Sequence, residues 1–393
     1  MNWAEEPIMR TRLFKVIAFC IAIHAHPALS EDAFQISAVE TVDVVAVSER
    51  GADDIFLLDN LDVVADLDLD ALLGWSGGQA HVHVLNNLGG VPNDRAATLQ
   101  GVNNIEVASQ RLRLFEAWVE QQLGARTSVR LGLYDLNSEF YSNDAAGLLI
   151  APAFGVGSEI AATGANGPSI FPSTALAVRI ERQLDTRGSY ARFAVLNAAA
   201  GTLGDPQGVN LDFDFGALLI GEVGIANERG KLGVGGWGYT DRHDDIHATD
   251  GAGDPVQRTA WGVYAIGEVQ VRDREGVPGI AAFARVGISD GRTTPFRGGW
   301  QAGMLMTRLF AGREDAQLSF GVNQAYLAHG YRRVLAADGI ESVAAETAFE
   351  LTYSDRLAPW LSIQPDLQLV VNPAGERGRG AVLVAGLRTT FEF

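Results

Sequence analysis

Apolar and polar residues alternate one for one through much of this chain. At its end, Ala381, Leu383, Ala385, Leu387, Thr389, Phe391 and Phe393 fall on one face of an extended segment, with Val382, Val384, Gly386, Arg388, Thr390 and Glu392 on the other. A period of two is that of a β-strand, because successive side chains point to opposite faces. The same pattern recurs upstream. In 360–371, Leu361, Ile363, Pro365, Leu367, Leu369 and Val371 oppose Ser362, Gln364, Asp366 and Gln368. In 345–354, Glu346, Glu350 and Thr352 oppose Phe349, Leu351 and Tyr353. In 261–272, Trp261, Val263, Ala265, Val269 and Val271 oppose Tyr264, Glu268, Gln270 and Arg272. Pro365 cannot donate to a ladder, so a bulge or an unpaired position is expected there.

Extended across the chain, the pattern predicts sixteen strands, at about 36–48, 55–69, 76–86, 111–122, 126–136, 175–184, 189–198, 215–226, 231–241, 257–271, 279–289, 299–310, 315–327, 345–354, 360–371 and 381–393. Short links such as 185–188, 228–230 and 312–315 alternate with long ones at 87–110, 137–174, 199–214, 242–256 and 328–344. Short turns on one rim and long loops on the other mark a transmembrane antiparallel β-barrel, whose apolar face meets lipid and whose polar face meets water. The final strand is long enough to cross a bilayer at a tilt, and Phe391 and Phe393 stand at its interfacial end. The 137–174 segment carries Phe140, Leu148, Leu149, Ile150, Phe154, Ile170 and Phe171, which predicts a loop folded into the lumen as a constriction rather than a disordered one.

Composition sharpens this reading. Beyond the N-terminal region no run of about 18 apolar residues occurs, so transmembrane helices are not expected. Arg10, Arg12 and Lys15 precede an apolar run from Val16 to Ile23 and then Ala28-Leu29-Ser30, the pattern of a secretory leader over residues 1–30 cleaved before Glu31. Residues 1–8 are acidic where such a leader is basic, which favours Met9 as the start. The single cysteine, Cys20, lies inside the leader, so export brings no disulfide framework. A net charge of −18 argues against nucleic acid as a partner. The barrel domain is expected over 31–393.

Several motifs invite chemistry and fall to simpler readings. Gly74-Trp75-Ser76-Gly77-Gly78 fits G-x-S-x-G, but a nucleophile elbow needs a strand before the serine and a helix after it, whereas here a strand pattern follows. A turn is expected, and a hydrolase acting through Ser76 is the remote alternative. His81 and His83 would share one side of a strand as a metal pair, yet no spacing supplies a convincing third ligand, so they read as lumen-facing polar groups and no metal or cofactor is called for. The Asp241–Gly251 run is rich in oxygen ligands but lacks the carboxylate spacing of a calcium loop, and reads as a solvated surface loop.

Arg111, Arg113, Glu116, Trp118 and Glu120 form the densest charged strand. Strict alternation fails across it, and a bulge near Leu114–Phe115 would turn all five inward; an amphipathic helix is the competing reading. Arg130 and Tyr134 continue the polar face on the next strand, and Arg179, Glu181 and Gln183 on the one after. Arginine, carboxylate, tryptophan and tyrosine are the groups that bind sugars, through bidentate contacts to hydroxyls and ring faces against C–H bonds. They also line pores that bind no sugar.

Three stretches resemble one family. Arg130-Leu-Gly-Leu-Tyr-Asp-Leu-Asn-Ser-Glu-Phe140 is similar to the G-x-Y-D-x-N-x-E-F strand and loop of the carbohydrate-selective porins of the OprB type. Ile170-Phe-Pro-Ser-Thr-Ala-Leu-Ala-Val-Arg-Ile180 resembles that family's proline-led next strand, and Leu361 to Pro373 resembles its penultimate strand, Pro365 included. The likeness spans about 31–393, without the helical extension that often precedes the family's barrel. It implies a sixteen-stranded barrel of the bacterial outer membrane that passes sugars and other small solutes by diffusion, with no enzymatic step. Arg111, Arg113, Glu116, Trp118, Arg130 and Tyr134, with Asp135, Asn137 and Glu139 leading into the loop, are the expected pathway residues. A general porin with mild cation preference, and a soluble secreted β-sandwich, remain as alternatives, and assembly as one chain or three is left open.

Overall fold

The computed structural model describes residues 33–272 and 278–393. The leader predicted over residues 1–30, with Met9, Cys20 and its cleavage point, lies outside them. Sixteen strands follow one another: β1 (Phe34–Glu49), β2 (Ala52–Asp68), β3 (Gly78–Gly89), β4 (Arg111–Gln122), β5 (Thr127–Tyr134), β6 (Ala175–Gln183), β7 (Ser189–Asn197), β8 (Ala217–Asn227), β9 (Gly230–Thr249), β10 (Pro255–Arg272), β11 (Gly279–Ser289), β12 (Phe296–Thr307), β13 (Gln317–Leu327), β14 (Ala345–Ala358), β15 (Leu361–Val371) and β16 (Val382–Glu392). Each pairs antiparallel with its neighbours in the chain, and β16 closes on β1, where Asp43 stands opposite Arg388. Closure leaves no sheet edge exposed, which lipid would not tolerate.

The alternation read from sequence is the inside–outside partition of this cylinder. Val263, Leu369, Leu383 and Leu387 are among the large apolar residues exposed on the outer wall, while Arg388, Gln368 and Glu350 point inward from neighbouring strands. Trp360 and Phe391 stack at one rim, with ring centroids 6.2 Å apart. Short turns at 123–126, 184–188, 228–229 and 359–360 lie at this rim, and the long connections 90–110, 135–174, 198–216 and 328–344 lie at the other.

Local irregularities follow the sequence. The bulge expected near Leu114–Phe115 is present: Val84 pairs with Leu114 and His83 with Glu116, so Phe115 is the extra residue. It shifts the alternation by one and brings Arg111, Arg113, Glu116, Trp118 and Glu120 to the same inner face, and the helical alternative is excluded. At Pro365 the ladder with β14 is interrupted between Thr352↔Asp366 and Asp355↔Ile363, the unpaired position a proline needs. Gly74–Gly78 is a turn entered from the short helix Leu69–Leu73 and left along β3, the reverse of a nucleophile elbow.

One expectation is corrected. The Asp241–Gly251 run is not a surface loop up to Gly251: β9 continues to Thr249 and pairs with β10 through two register shifts. Charged residues occupy both faces of this stretch, so alternation vanishes there although the backbone ladder persists. Asp245 accepts from the His247 and Ala248 N–H groups at 3.0 and 2.8 Å and pairs with Arg258 at 3.2 Å, a protein-held role rather than an ion-binding one.

Candidate functional site

Two of the long connections fold into the lumen, and inward-facing wall carboxylates receive their backbone. In the 90–110 segment, the N–H groups of Leu99 and Gln100 donate to Glu346 at 2.9 and 3.1 Å, and Gln368 donates to the Val102 carbonyl at 2.9 Å. In the 135–174 segment, Tyr141 N–H donates to Glu222 at 3.0 Å, Ala145 N–H to Glu268 at 3.0 Å, and Ile150 and Ala151 N–H to Glu350, the latter at 2.9 Å. Arg285 donates to the carbonyls of Tyr141 at 2.9 Å, Gly155 at 2.8 Å and Phe154. An irregular segment buried inside a barrel has no ladder for its polar groups, so the wall must supply partners. Apolar contacts complete the docking: Val102 and Ile105 pack on Val45, Val370, Val382 and Val384, and Leu136, Phe140, Tyr141 and Ile160 on the inner faces of β6 to β10.

At two of the closest approaches of the longer insert to the wall, the wall carries glycine. A Cβ on Gly287 would fall 1.7 Å from Glu159 Oε1, and one on Gly321 2.6 Å from Phe154 Cζ. The two inserts also meet, Ser158 Oγ donating to Gln100 Oε1 at 3.0 Å.

Beside that meeting point lies a cavity of about 560 Å³. Its polar lining includes Asp62, His83, Arg388, Asn104, Asp135 and Asn137, and its apolar lining includes Phe115, Phe171 and Pro172. Arg388 is fixed by a two-pronged contact to Asp43 at 2.9 and 2.8 Å and donates to Asn104 at 2.7 Å. Glu106 also lines the cavity. Burial pushes its carboxyl up to about 7, the Asn93 N–H works against the rise and Asp94 adds to it.

A second charged cluster holds the root of the 135–174 insert. Arg179 donates to Glu139 at 2.8 and 2.6 Å, to Glu120 at 2.8 Å and to Ser128 at 2.7 Å. Arg130 donates to Glu120 at 2.8 Å and lies 3.7 Å above the Trp118 ring. Tyr134 donates to Glu139 at 2.5 Å. Burial pushes the Glu139 carboxyl up, but Arg130 and Arg179 outweigh it and hold the group below the usual carboxylate range.

The predicted pathway residues therefore divide. Asp135 and Asn137 line the cavity. Trp118, Arg130, Tyr134 and Glu139 form the cluster at the root of the insert, and Glu116 accepts the Asp135 N–H at 3.0 Å. Arg111 and Arg113 are taken up by the 198–216 connection, contacting the Gly204 carbonyl at 3.2 Å and Asp205 at 3.2 Å. Sequence reasoning missed Arg388, Asp62, Asn104 and Glu106. Arg388 was visible as the one basic residue on the polar face of the last strand, but Asn104 and Glu106 sit in a segment with no periodicity.

Comparison with known proteins is consistent with this architecture. The family described as carbohydrate-selective porin, OprB family, matches residues 54–393. Porin B of Pseudomonas aeruginosa is 22% identical over 361 aligned residues, covering 82% of this chain and 78% of that protein. Among solved structures, Pseudomonas putida OprB at high pH superimposes with a TM-score of 0.82 at 20% identity, over 92% of this chain and 95% of the other. The outer membrane channel DcaP of Acinetobacter baumannii gives 0.58 at 11% identity, over 93% and 99%.

Proposed function

The chain belongs to the OprB family of carbohydrate-selective porins, and on that premise we propose that its selective element is the passage left between the two inserts and the inner faces of β2, β3 and β16. The protein is a bacterial outer-membrane porin through which carbohydrates diffuse. The observation that carries the assignment of the selective element is the lining itself. Fixed donors and acceptors, Arg388, Asn104, Asn137 and Asp62, face the aromatic and proline surfaces of Phe115, Phe171 and Pro172. That combination suits a polyhydroxylated ring with polar edges and C–H faces. Low-affinity contacts of this kind favour entry without preventing exit. Trp118, Arg130, Tyr134 and Glu139 act here as positioning residues, holding the insert whose edge forms the passage, and Arg111 and Arg113 hold the neighbouring connection.

Planar-bilayer recordings test this. A neutral monosaccharide should reduce the ion current in a saturable way, and Arg388→Ala or Asn137→Ala should weaken that block about tenfold, the loss of one good polar contact. A current indifferent to every sugar would favour the general, cation-preferring pore instead.

Two further readings belong with this one. Residues 1–30 act as the export leader, so N-terminal sequencing of the membrane-inserted protein should begin at Glu31. Glu40 of β1 and Asp59 of β2 stand diagonally on the outward face, partly covered, where lipid disfavours charge. This side of the barrel suits contact with a second copy, and cross-linking from these strands should yield a homo-oligomer.

A further inference from the structure

His81 and His83, two residues apart on the inner face of β3, acquire a third neighbour from β4. The Phe115 bulge places Glu116 opposite His83. One Glu116 oxygen, Oε1, is occupied by the Asp135 N–H at 3.0 Å. The other, Oε2, lies 3.8 Å from His81 Nε2 and 4.0 Å from His83 Nδ1, and one ligand atom from each residue falls within 4.8 Å of the other two.

The far side of each ring is held by a separate carboxylate. His81 Nδ1 is 2.7 Å from Asp66 Oδ1, and His83 Nε2 is 2.8 Å from Asp62 Oδ1. An ionised carboxylate only accepts, so these nitrogens carry the protons. In the neutral rings the opposite nitrogens then present lone pairs toward Glu116. His81 Nε2 is buried and makes no hydrogen bond. Trp118 stacks on His81 at 4.8 Å and Phe115 meets His83 edge-on at 5.1 Å, which fixes both ring planes. Two imidazole nitrogens and a carboxylate oxygen converging, with a carboxylate behind each imidazole, is the arrangement by which proteins orient histidines onto a metal.

We propose that His81 Nε2, His83 Nδ1 and Glu116 Oε2 form a binding site for a divalent transition cation of the zinc or nickel type, with the remaining position open to water. Imidazole with one carboxylate suits these ions better than magnesium or calcium, which take oxygen ligands. Metal–ligand bonds of about 2.0–2.2 Å require the three atoms to draw together by on the order of half an ångström, within side-chain adjustment. Because His83 and Asp62 line the passage and Glu116 holds the start of the 135–174 insert, an occupied site adds positive charge beside the pathway and braces the root of the constriction.

The experiment is calorimetric titration of zinc chloride and nickel chloride into untagged, chelator-stripped full-length protein in detergent. Expected is one micromolar site per chain, weakened at least tenfold in His83→Ala and Glu116→Gln that still show heat-modifiable migration. Affinity no better than millimolar in the wild type, or unchanged in both variants, overturns the proposal. Cobalt(II) absorption of the wild-type protein needs no variant: intense bands of a four-coordinate, nitrogen-ligated ion support the site, and the spectrum of hexaaqua cobalt refutes it.

Discussion

At the scale of single residues, the lumen places charges where each has several partners, and Arg179 is the clearest case. It is 2% exposed and bridges Glu120 and Glu139 from the middle of the inner wall. Removing it leaves two carboxylates facing each other with only Arg130 between them. Breaking a buried pair by deleting one partner costs about 3–5 kcal/mol, because the remaining charge stays desolvated. Arg179→Ala should therefore lower the unfolding midpoint in detergent far more than Arg182→Ala, whose side chain makes one long contact at 3.3 Å to Thr127. The strand carrying Arg179 and its polar face were legible in the sequence. Its bond to Glu139 was not, because the two residues are 40 positions apart and meet only once the insert has turned back.

At the scale of elements, the inserts are docked segments rather than free loops, and the wall is shaped to receive them. Gly321 of β13 lies under the Phe154 ring. Gly321→Val should push the insert off the wall and change single-channel conductance, whereas Gly267→Ala, whose nearest neighbours would be 3.9 Å away, should leave it unaltered. All sixteen strands were legible from alternation, most to within a few residues. The error at 241–251 has a physical origin: alternation reports a difference in environment between the two faces of a strand, and where both faces are polar the ladder continues without a periodic signal. The bulge in β4 could be inferred for the converse reason, since a broken period within a charged strand needs one extra residue to restore it.

At the scale of the whole molecule, lipid and lumen impose opposite rules on the same strands. Val263 is 45% exposed on the outer wall, so Val263→Arg should cost about 2–4 kcal/mol at mid-depth and reduce the yield of folded, heat-modifiable barrel. Inside, arginines sit in numbers because carboxylates and water receive them. Burial also raises the carboxyl of Glu106, which lines the cavity between the inserts. With Glu106 raised to about 7, its negative charge is present above that pH and lost below it. Cation preference, read from reversal potentials in a salt gradient, should fall as pH drops from 8 to 6, and this step should shrink in Glu106→Gln.

The chain's own pattern of side chains was sufficient for the strand count, the face each strand gives to lipid, the bulge at Phe115 and the presence of a long apolar insert, because each is written in the spacing of neighbouring residues and in the environment those neighbours must share. Which wall carboxylate holds which stretch of the inserts, that the 90–110 segment narrows the lumen as well, and that Arg388 faces the same cavity as Asn104 were decided only by closure of the cylinder and by the turn of the inserts within it, and that Glu116 joins His81 and His83 by the pairing of β3 with β4. Those relations join residues tens to hundreds of positions apart, and register and packing in three dimensions, not local periodicity, set which of them meet.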